Sequence, residues 1–182
     1  MGIDIIIRGS GPGDGPKDPP TWTPGTLGGL IKTGGVEATL AKLATTDPAG
    51  RPLIRLDRTD TDETQAYAFA TVTAADRPAG FSILTGQRLR IFGYVRASRA
   101  CDLVAPQIVD VSNGNNSVHS VPAIAITSGS SSYTRFDFEA TAVRDFGSTQ
   151  GVRWGARPSG QANGPHAAPL RLDIGFSIQS LA

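Results

Sequence analysis

The residues that could perform nucleophilic or metal chemistry are few in this sequence and lie far apart. It has two histidines, His119 and His166, and one cysteine, Cys101. Neither histidine lies in a nucleophile-elbow or metalloprotease motif, and a zinc site needs three or four ligands. The sequence therefore predicts no catalytic triad and no zinc site, and Cys101 is expected to be a buried, inert thiol.

A cluster of carboxylates within seven residues could bind a metal ion. Its members are Asp57, Asp60, Asp62 and Glu63. Oxygen ligands at this density could chelate Ca²⁺, but the cluster lacks the central glycine of an EF-hand loop and contains Arg58. We expect a solvated acidic turn and no bound metal, with calcium as the alternative.

Two further carboxylates, Asp137 and Glu139, are two residues apart in a predicted strand and so share one face of it. A glycosidase needs only such a pair. Because exposed charges belong on the polar face of any strand, we interpret these two as surface charges. With no catalytic constellation left, the sequence predicts a protein that is not an enzyme and has no cofactor.

One aromatic residue with basic neighbours could bind a sugar. Trp154, with Arg153 and Arg157 beside it, lies in the Gly- and Pro-rich residues 147–169, which we expect to form a long surface loop. The indole could stack on a glycan there, or it could fold over one end of the domain as a plug. The sequence leaves both interpretations open.

The elements that must position these residues are short strands. The chain of 182 residues is 39% hydrophobic and 18% charged, with 22 Gly and 13 Pro, a composition typical of strands joined by turns. No helix is clearly indicated, although Val36, Leu40 and Leu43 have helical spacing, so residues 35–46 are either a short helix or an irregular packing segment. Seven or eight strands are predicted, the clearest at residues 53–57, 67–73, 88–97, 103–111, 120–126, 133–143 and 170–178.

Apolar and polar residues alternate most clearly in the last two of these strands. Phe136 and Phe138 alternate with charged residues, and Leu170 to Ile178 repeats the pattern. One dry and one wet face is typical of antiparallel sheets that cover a core on one side. We therefore predict an all-β fold, an antiparallel β-sandwich of jelly-roll type over residues 30–182.

The first 29 residues differ from the rest and are predicted to form an extended arm. A β-branched run that contains Ile3, Ile5, Ile6 and Ile7 precedes a Gly- and Pro-rich stretch that cannot bury enough apolar surface to fold alone. The run could add a strand to a neighbouring sheet. Trp22 is the one large apolar side chain of the Gly- and Pro-rich stretch, and we expect it to dock on its own domain or on a neighbour.

Two segments of the sequence resemble the central strands of a known family. Residues 86–97, Gly-Gln-Arg-Leu-Arg-Ile-Phe-Gly-Tyr-Val-Arg-Ala, and residues 132–141, Ser-Tyr-Thr-Arg-Phe-Asp-Phe-Glu-Ala-Thr, are similar to paired strands of carbohydrate-binding-module-like jelly rolls. Such modules also occur in head and tail appendages of bacteriophages. The resemblance covers about 90 residues, from Phe81 to the end of the sequence, and implies a fold without transferring a functional residue.

These observations lead to a structural assembly protein as the predicted function, with glycan binding as the alternative. The arm, through the four isoleucines and Trp22, would attach the sandwich to other copies and to other proteins of a bacteriophage virion made in the host cytoplasm. The alternative is a carbohydrate-binding module that recognises a surface glycan through Trp154, Arg153 and Arg157. A net charge of +1 argues against nucleic acid, and no apolar run is long enough to span a membrane.

Overall fold

The computed structural model describes residues 21–24, 27–32, 37–59, 68–73, 81, 83–110, 116–117, 123–126, 132–145, 150–157 and 169–181. These residues form twelve β-strands and no helix. The strands are β1 (Thr21–Trp22), β2 (Leu27–Lys32), β3 (Ala38–Thr46), β4 (Pro52–Arg58), β5 (Ala68–Thr73), β6 (Arg88–Ala97), β7 (Cys101–Asp110), β8 (Asn116–Ser117), β9 (Ala123–Ile126), β10 (Thr134–Thr141), β11 (Gln150–Arg157) and β12 (Leu170–Ser180). The all-β prediction is confirmed.

Two antiparallel sheets of six strands each make a β-sandwich of jelly-roll type. The front sheet has the order β10-β6-β12-β4-β3, and β1 also pairs with β12. The back sheet has the order β2-β5-β11-β7-β8, and β9 also pairs with β7. Apart from the consecutive pairs β3–β4 and β7–β8, neighbours in the sheets are distant in sequence, which is the wiring expected of a sandwich rather than of a meander.

Alternation along the central strands of the front sheet separates a buried side from a solvent side. In β6, Leu89, Ile91 and Val95 are completely buried, whereas Arg90, Phe92, Tyr94 and Arg96 are partly exposed. The register, with Leu172 opposite Ala97 and Ser180 opposite Leu89, places the apolar residues of β12 on the same buried side. We call the opposite, solvent-facing side of this sheet the front face.

The core between the sheets is closed by two tryptophans, Trp154 and Trp22; for Trp22 this is docking on its own domain, one of the two alternatives expected from the sequence. Trp154 lies in β11 and packs edge-to-face on Phe176, with ring centroids 5.5 Å apart. Trp22 packs in the same manner on Phe81 at 5.9 Å. Both indoles are 0% exposed. Large aromatic side chains bury the most apolar area per residue. This burial matters here because a chain with one cysteine cannot form an internal disulfide.

Three local predictions need correction. Residues 38–46 are a strand, β3, and neither a helix nor an irregular segment. Residues 150–157 of the predicted surface loop are strand β11, paired with β5 and β7. Thr21–Trp22 falls within the predicted arm but pairs with β12 in the front sheet, so Trp22 belongs to the sandwich. Residues 1–20, with the four isoleucines, lie outside the described residues.

Candidate binding surface

The front face carries a continuous row of aromatic rings and guanidinium groups. Its basis is β6, where Arg90, Phe92, Tyr94 and Arg96 are the residues that alternate with the buried ones. All four side chains are therefore directed to the solvent side of the sheet. An aromatic residue in a polar register has no core to fill, which makes it a candidate for contact with a ligand.

A tight turn between β3 and β4 adds a further arginine to this row. Asp47 accepts hydrogen bonds through Oδ1 from the backbone N–H groups of Ala49, at 2.8 Å, and Arg51, at 2.9 Å. Gly50 has the positive φ of 81° that the turn requires. Asp47 Oδ2 then accepts from Arg51 Nε at 2.7 Å, which fixes the direction of the guanidinium.

Arg51 lies over two aromatic rings at once. Its Cζ is 5.3 Å from the ring centroid of Phe92 and 5.5 Å from that of Tyr94. Arg90 lies over Phe92 at 5.0 Å, from a separate position on β6. Cation–π contacts of this kind contribute about 0.5–2 kcal/mol each, and more when water is excluded.

The row ends at the start of β10. Tyr133, just before β10, meets Tyr94 edge-to-face with centroids 6.5 Å apart. Arg96 lies over the Tyr133 ring at 5.0 Å. We call the whole set the arginine–aromatic row; its members are Arg51, Arg90, Phe92, Tyr94, Arg96 and Tyr133. The three aromatic side chains are partly exposed, so the row is a surface that a ligand can touch.

Beside the row, a buried carboxylate joins three strands. Asp173 on β12 accepts from Arg55 of β4 in bidentate fashion, at 2.6 Å from Nε and 2.8 Å from Nη2. It also accepts from Arg96 of β6, at 3.0 Å. The carboxylate is 3% exposed, and the two arginines are 26% and 30% exposed. The network therefore fixes β4, β12 and β6 to one another on the front face.

The environment of Asp173 makes the fold sensitive to acid. Burial raises the pKa of this carboxyl group, but the hydrogen bonds from Arg55 and Arg96 outweigh burial and hold the pKa below its ordinary value of 3.8. Because the folded-state pKa is lower than the unfolded one, the ionised carboxylate stabilises the fold above the unfolded pKa, and this contribution is lost as the pH falls through the folded pKa.

We therefore expect Asp173→Asn to have a lower free energy of unfolding than the wild type in urea denaturation, with the largest difference at pH 5–7. The difference should narrow as the pH is lowered below about 3.9, where the unfolded-state carboxyl group becomes protonated. Two curves that stay parallel between pH 7 and pH 2.5 would contradict the assignment of the acid-sensitive carboxylate to Asp173.

The carboxylates singled out in the sequence are held in cross-strand ion pairs. Asp137 accepts from Arg90 at 2.6 Å and 2.8 Å, which together with Arg135 lowers the pKa of Asp137 although burial opposes them. Glu139 is paired with Arg88. Both carboxylates are on the exposed side of β10, which confirms that they are surface charges.

The acidic cluster is only partly described. Asp57 lies in β4 and accepts from Arg171 at 3.0 Å. Asp60, Asp62 and Glu63 lie outside the described residues, as do His119 and His166. Within the described ranges, no three His, Cys, Asp or Glu side chains are placed to hold a metal ion. Cys101 is 2% exposed, and burial is the main cause that raises the pKa of its thiol to about 12, so the prediction of a buried thiol is confirmed.

The predicted glycan residues are not on the front face. Trp154 is completely buried, so its ring offers no face to a sugar, and the interpretation of this residue as a sugar platform is wrong. Arg153 lies in β11, where Nη2 donates to Gln107 Oε1 at 3.1 Å. Arg157 is the last residue of β11. These residues belong to the back sheet, whereas the arginine–aromatic row is on the front sheet.

The sandwich is similar in fold to carbohydrate-binding modules of known structure. The CBM22-1 xylan-binding domain from Paenibacillus barcinonensis Xyn10C is 17% identical, covers 86% of this chain and 88% of its own, and has a TM-score of 0.50. A CBM4 structure is 8% identical, the match covers 84% of this chain and 85% of that structure, and the TM-score is 0.54. The N-terminal cellulose-binding domain from Cellulomonas fimi β-1,4-glucanase C is 15% identical; the match covers 93% of this chain and 92% of that domain, with a TM-score of 0.51. At these identities the similarity is one of fold.

No protein-family model matches this chain, and no curated protein matches it. The resemblance to jelly-roll carbohydrate-binding modules is thus confirmed for the fold. The three structures named above are not virion proteins, and the comparisons give no support to the bacteriophage part of the prediction. Within the described part of the chain, no helix is long and apolar enough to cross a membrane.

Proposed function

We propose that this protein is a carbohydrate-binding module and that a glycan chain binds along the arginine–aromatic row of the front face. The observation that carries the proposal is the row itself: three partly exposed aromatic rings, interleaved with guanidinium groups, on the open side of a β-sandwich. The similarity of fold to modules named for xylan and cellulose binding supports it.

The chemistry of the row suits a sugar. The C–H face of a pyranose is apolar and packs on an aromatic ring, while its hydroxyl groups are donors and acceptors at the ring edge. Guanidinium groups supply several donors in one plane, and the Tyr94 and Tyr133 hydroxyls both donate and accept. Because Asp47 and Asp173 fix Arg51 and Arg96, a ligand meets side chains that have already lost much of their conformational freedom.

Strand β6 gives the row the direction of a chain-like ligand. From Arg90 to Arg96 the four outward residues span six steps of the strand, or roughly 20 Å at about 3.3 Å per residue. This length exceeds a single sugar unit, so an extended oligosaccharide rather than a monosaccharide fits the surface.

Truncation of the central aromatic side chain tests the proposal. We expect Tyr94→Ala to weaken binding to the preferred polysaccharide at least tenfold, about 1.4 kcal/mol, because the tyrosine contacts both Arg51 and Tyr133 at the middle of the row. Affinity electrophoresis against soluble xylan, hydroxyethyl cellulose and polygalacturonate would identify the ligand, and isothermal titration calorimetry with its oligosaccharides would measure the dissociation constant.

Leu84→Ala is the matched control for this experiment. Leu84 is 61% exposed and lies in the turn before β6, off the row. It should bind like the wild type, and circular dichroism should show that both variants are folded. Equal affinities for all three proteins would contradict the proposal, as would the absence of binding to every polysaccharide.

A further inference from the structure

A pocket at the Arg96 end of the arginine–aromatic row is positively charged, a property that the binding of a neutral sugar does not require. Its volume is about 260 Å³, and its lining residues are Arg55, Arg96, Ala97, Ser98, Arg171 and Asp173. This volume is just below the roughly 300–1,000 Å³ of pockets that hold a small molecule, so the pocket has room for one sugar unit and not for a chain.

The lining is positively charged even after its ion pairs are counted. Three guanidinium groups face one carboxylate in the pocket, and including Asp57, the partner of Arg171, still leaves three positive charges against two negative ones. The ion pairs use Nε and Nη2 of Arg55 and Arg171. A guanidinium has five N–H donors, so donors remain for a ligand on each side chain.

The walls of the pocket are held in place by the backbone. Arg171 N donates to Ser98 Oγ at 2.9 Å, and Ser98 N donates to the Arg171 carbonyl oxygen at 2.9 Å. These bonds fix the turn after β6 against the start of β12. The Ser98 hydroxyl keeps its own proton available for donation to a ligand.

One residue belongs to both the pocket and the row. Arg96 lines the pocket and also lies over the ring of Tyr133. The pocket is therefore continuous with the row, and a glycan chain bound along the row would place its next sugar unit beside the three guanidinium groups. Arginine is the side chain that best matches a planar carboxylate, because two parallel N–H groups can bind its two oxygens.

We propose that the ligand is an acidic glycan and that this pocket binds the carboxylate of one uronic acid unit. The inference rests on the proposed function of the row and adds the chemical class of its ligand. Neutral hydroxyl groups would leave the excess positive charge of the pocket without a partner, whereas a carboxylate neutralises it. Arg171, which is 52% exposed, is the most accessible of the three guanidinium groups.

Matched pairs of polysaccharides test the ligand class. We would measure binding to homogalacturonan, glucuronoxylan and alginate oligosaccharides by calorimetry, each against the same oligosaccharide with its carboxylates reduced to alcohols. In at least one pair the wild type should bind the acidic form at least tenfold more tightly than the reduced form. The Arg171→Gln variant should lose most of this preference while it binds the reduced form like the wild type.

Arg88→Gln is the control for the loss of one positive charge. Arg88 is 60% exposed, lies on the same face, and is ion-paired with one carboxylate as Arg171 is, but it is at the opposite end of β6 from the pocket. It should keep the full preference for the acidic form. If Arg88→Gln lost as much of the preference for the acidic form as Arg171→Gln, general charge attraction would explain the preference and the proposed carboxylate site would be wrong.

The remaining outcomes separate this inference from the function on which it rests. If reduced and acidic forms bind equally well in all three pairs, the acidic-ligand inference fails and the carbohydrate-binding function stands. If no oligosaccharide or polysaccharide binds to the wild type, both fail together.

Discussion

Replacing Trp154 with alanine is expected to lower the free energy of unfolding by about 3–5 kcal/mol. The indole is completely buried, lies in the middle of the back sheet, and packs on Phe176 of the front sheet. Its removal leaves a cavity between the two sheets that the surrounding strands cannot close. Urea denaturation followed by far-ultraviolet circular dichroism measures the loss, which is a large share of the about 5–15 kcal/mol typical of a whole domain.

Trp154→Phe distinguishes a core residue from a sugar platform. Phenylalanine keeps much of the apolar contact with Phe176 and removes an indole N–H that has no hydrogen-bond partner among the described residues. We expect a loss below about 2 kcal/mol and unchanged glycan affinity. A Trp154→Ala protein that is as stable as the wild type but no longer binds sugar would show that the ring is at the surface.

The strands predicted well from the sequence are those in which apolar and polar residue types alternate. Strand β6 was predicted with its observed bounds, and β12 extends only two residues beyond the prediction. In both, the apolar residues occupy every second position because they face the core, so the pattern can be recognised without knowledge of the partner strands.

Two strands were missed for different reasons: in β3 the local signal is absent, and in β11 it is present but was masked. Strand β3 is an edge strand, and of its nine residues Ala38 alone is buried, so the spacing of Leu40 and Leu43 imitated a helix. Strand β11 does carry apolar residues at every second position, with Val152, Trp154 and Ala156 buried, but Gly151 and Gly155 beside them suggested a loop. Three buried apolar residues at a spacing of two were the signal that could have identified it.

The candidate site was only half visible in the sequence for a similar reason. Phe92 and Tyr94 stand in the polar register of β6, which can be recognised once Leu89, Ile91 and Val95 are assigned to the core. The contributions of Arg51, Arg55 and Asp173 depend on β4, β12 and β6 being neighbours in that order. Strand order in a sandwich is a tertiary property, so these contacts cannot be predicted from a local sequence pattern.

The ion-pair network on the front face serves the proposed ligand site as well as the fold. Replacing a buried ion pair by apolar side chains is often neutral or stabilising, because taking two charges out of water costs about as much as their attraction returns. Arg55 and Arg96 nevertheless share the buried Asp173. Besides joining three strands, the arrangement holds two guanidinium groups at the wall of a pocket, where the proposed acidic ligand needs them.

The same strands that carry the row leave no space for a side chain at Gly93. A Cβ atom at this position would lie 2.2 Å from the Gly175 carbonyl oxygen and 2.6 Å from Phe136 Cζ. Both are closer than non-bonded atoms approach, and the first belongs to the backbone of β12. Gly93→Ala must therefore separate β6 from a neighbouring strand, and we expect it to destabilise the domain by more than about 3 kcal/mol.

Gly50→Ala provides the comparison for that experiment, because it changes a glycine without a clash. Gly50 has a positive φ of 81° and nothing within 4 Å of its added Cβ, so its cost is the backbone strain alone, about 1–2 kcal/mol. Urea denaturation should place Gly50→Ala between the wild type and Gly93→Ala. The reverse order would contradict the close approach of β6 and β12. Since β6 also supplies Phe92, Tyr94 and Arg96, any Gly93→Ala protein that remains folded should bind glycan more weakly than the wild type.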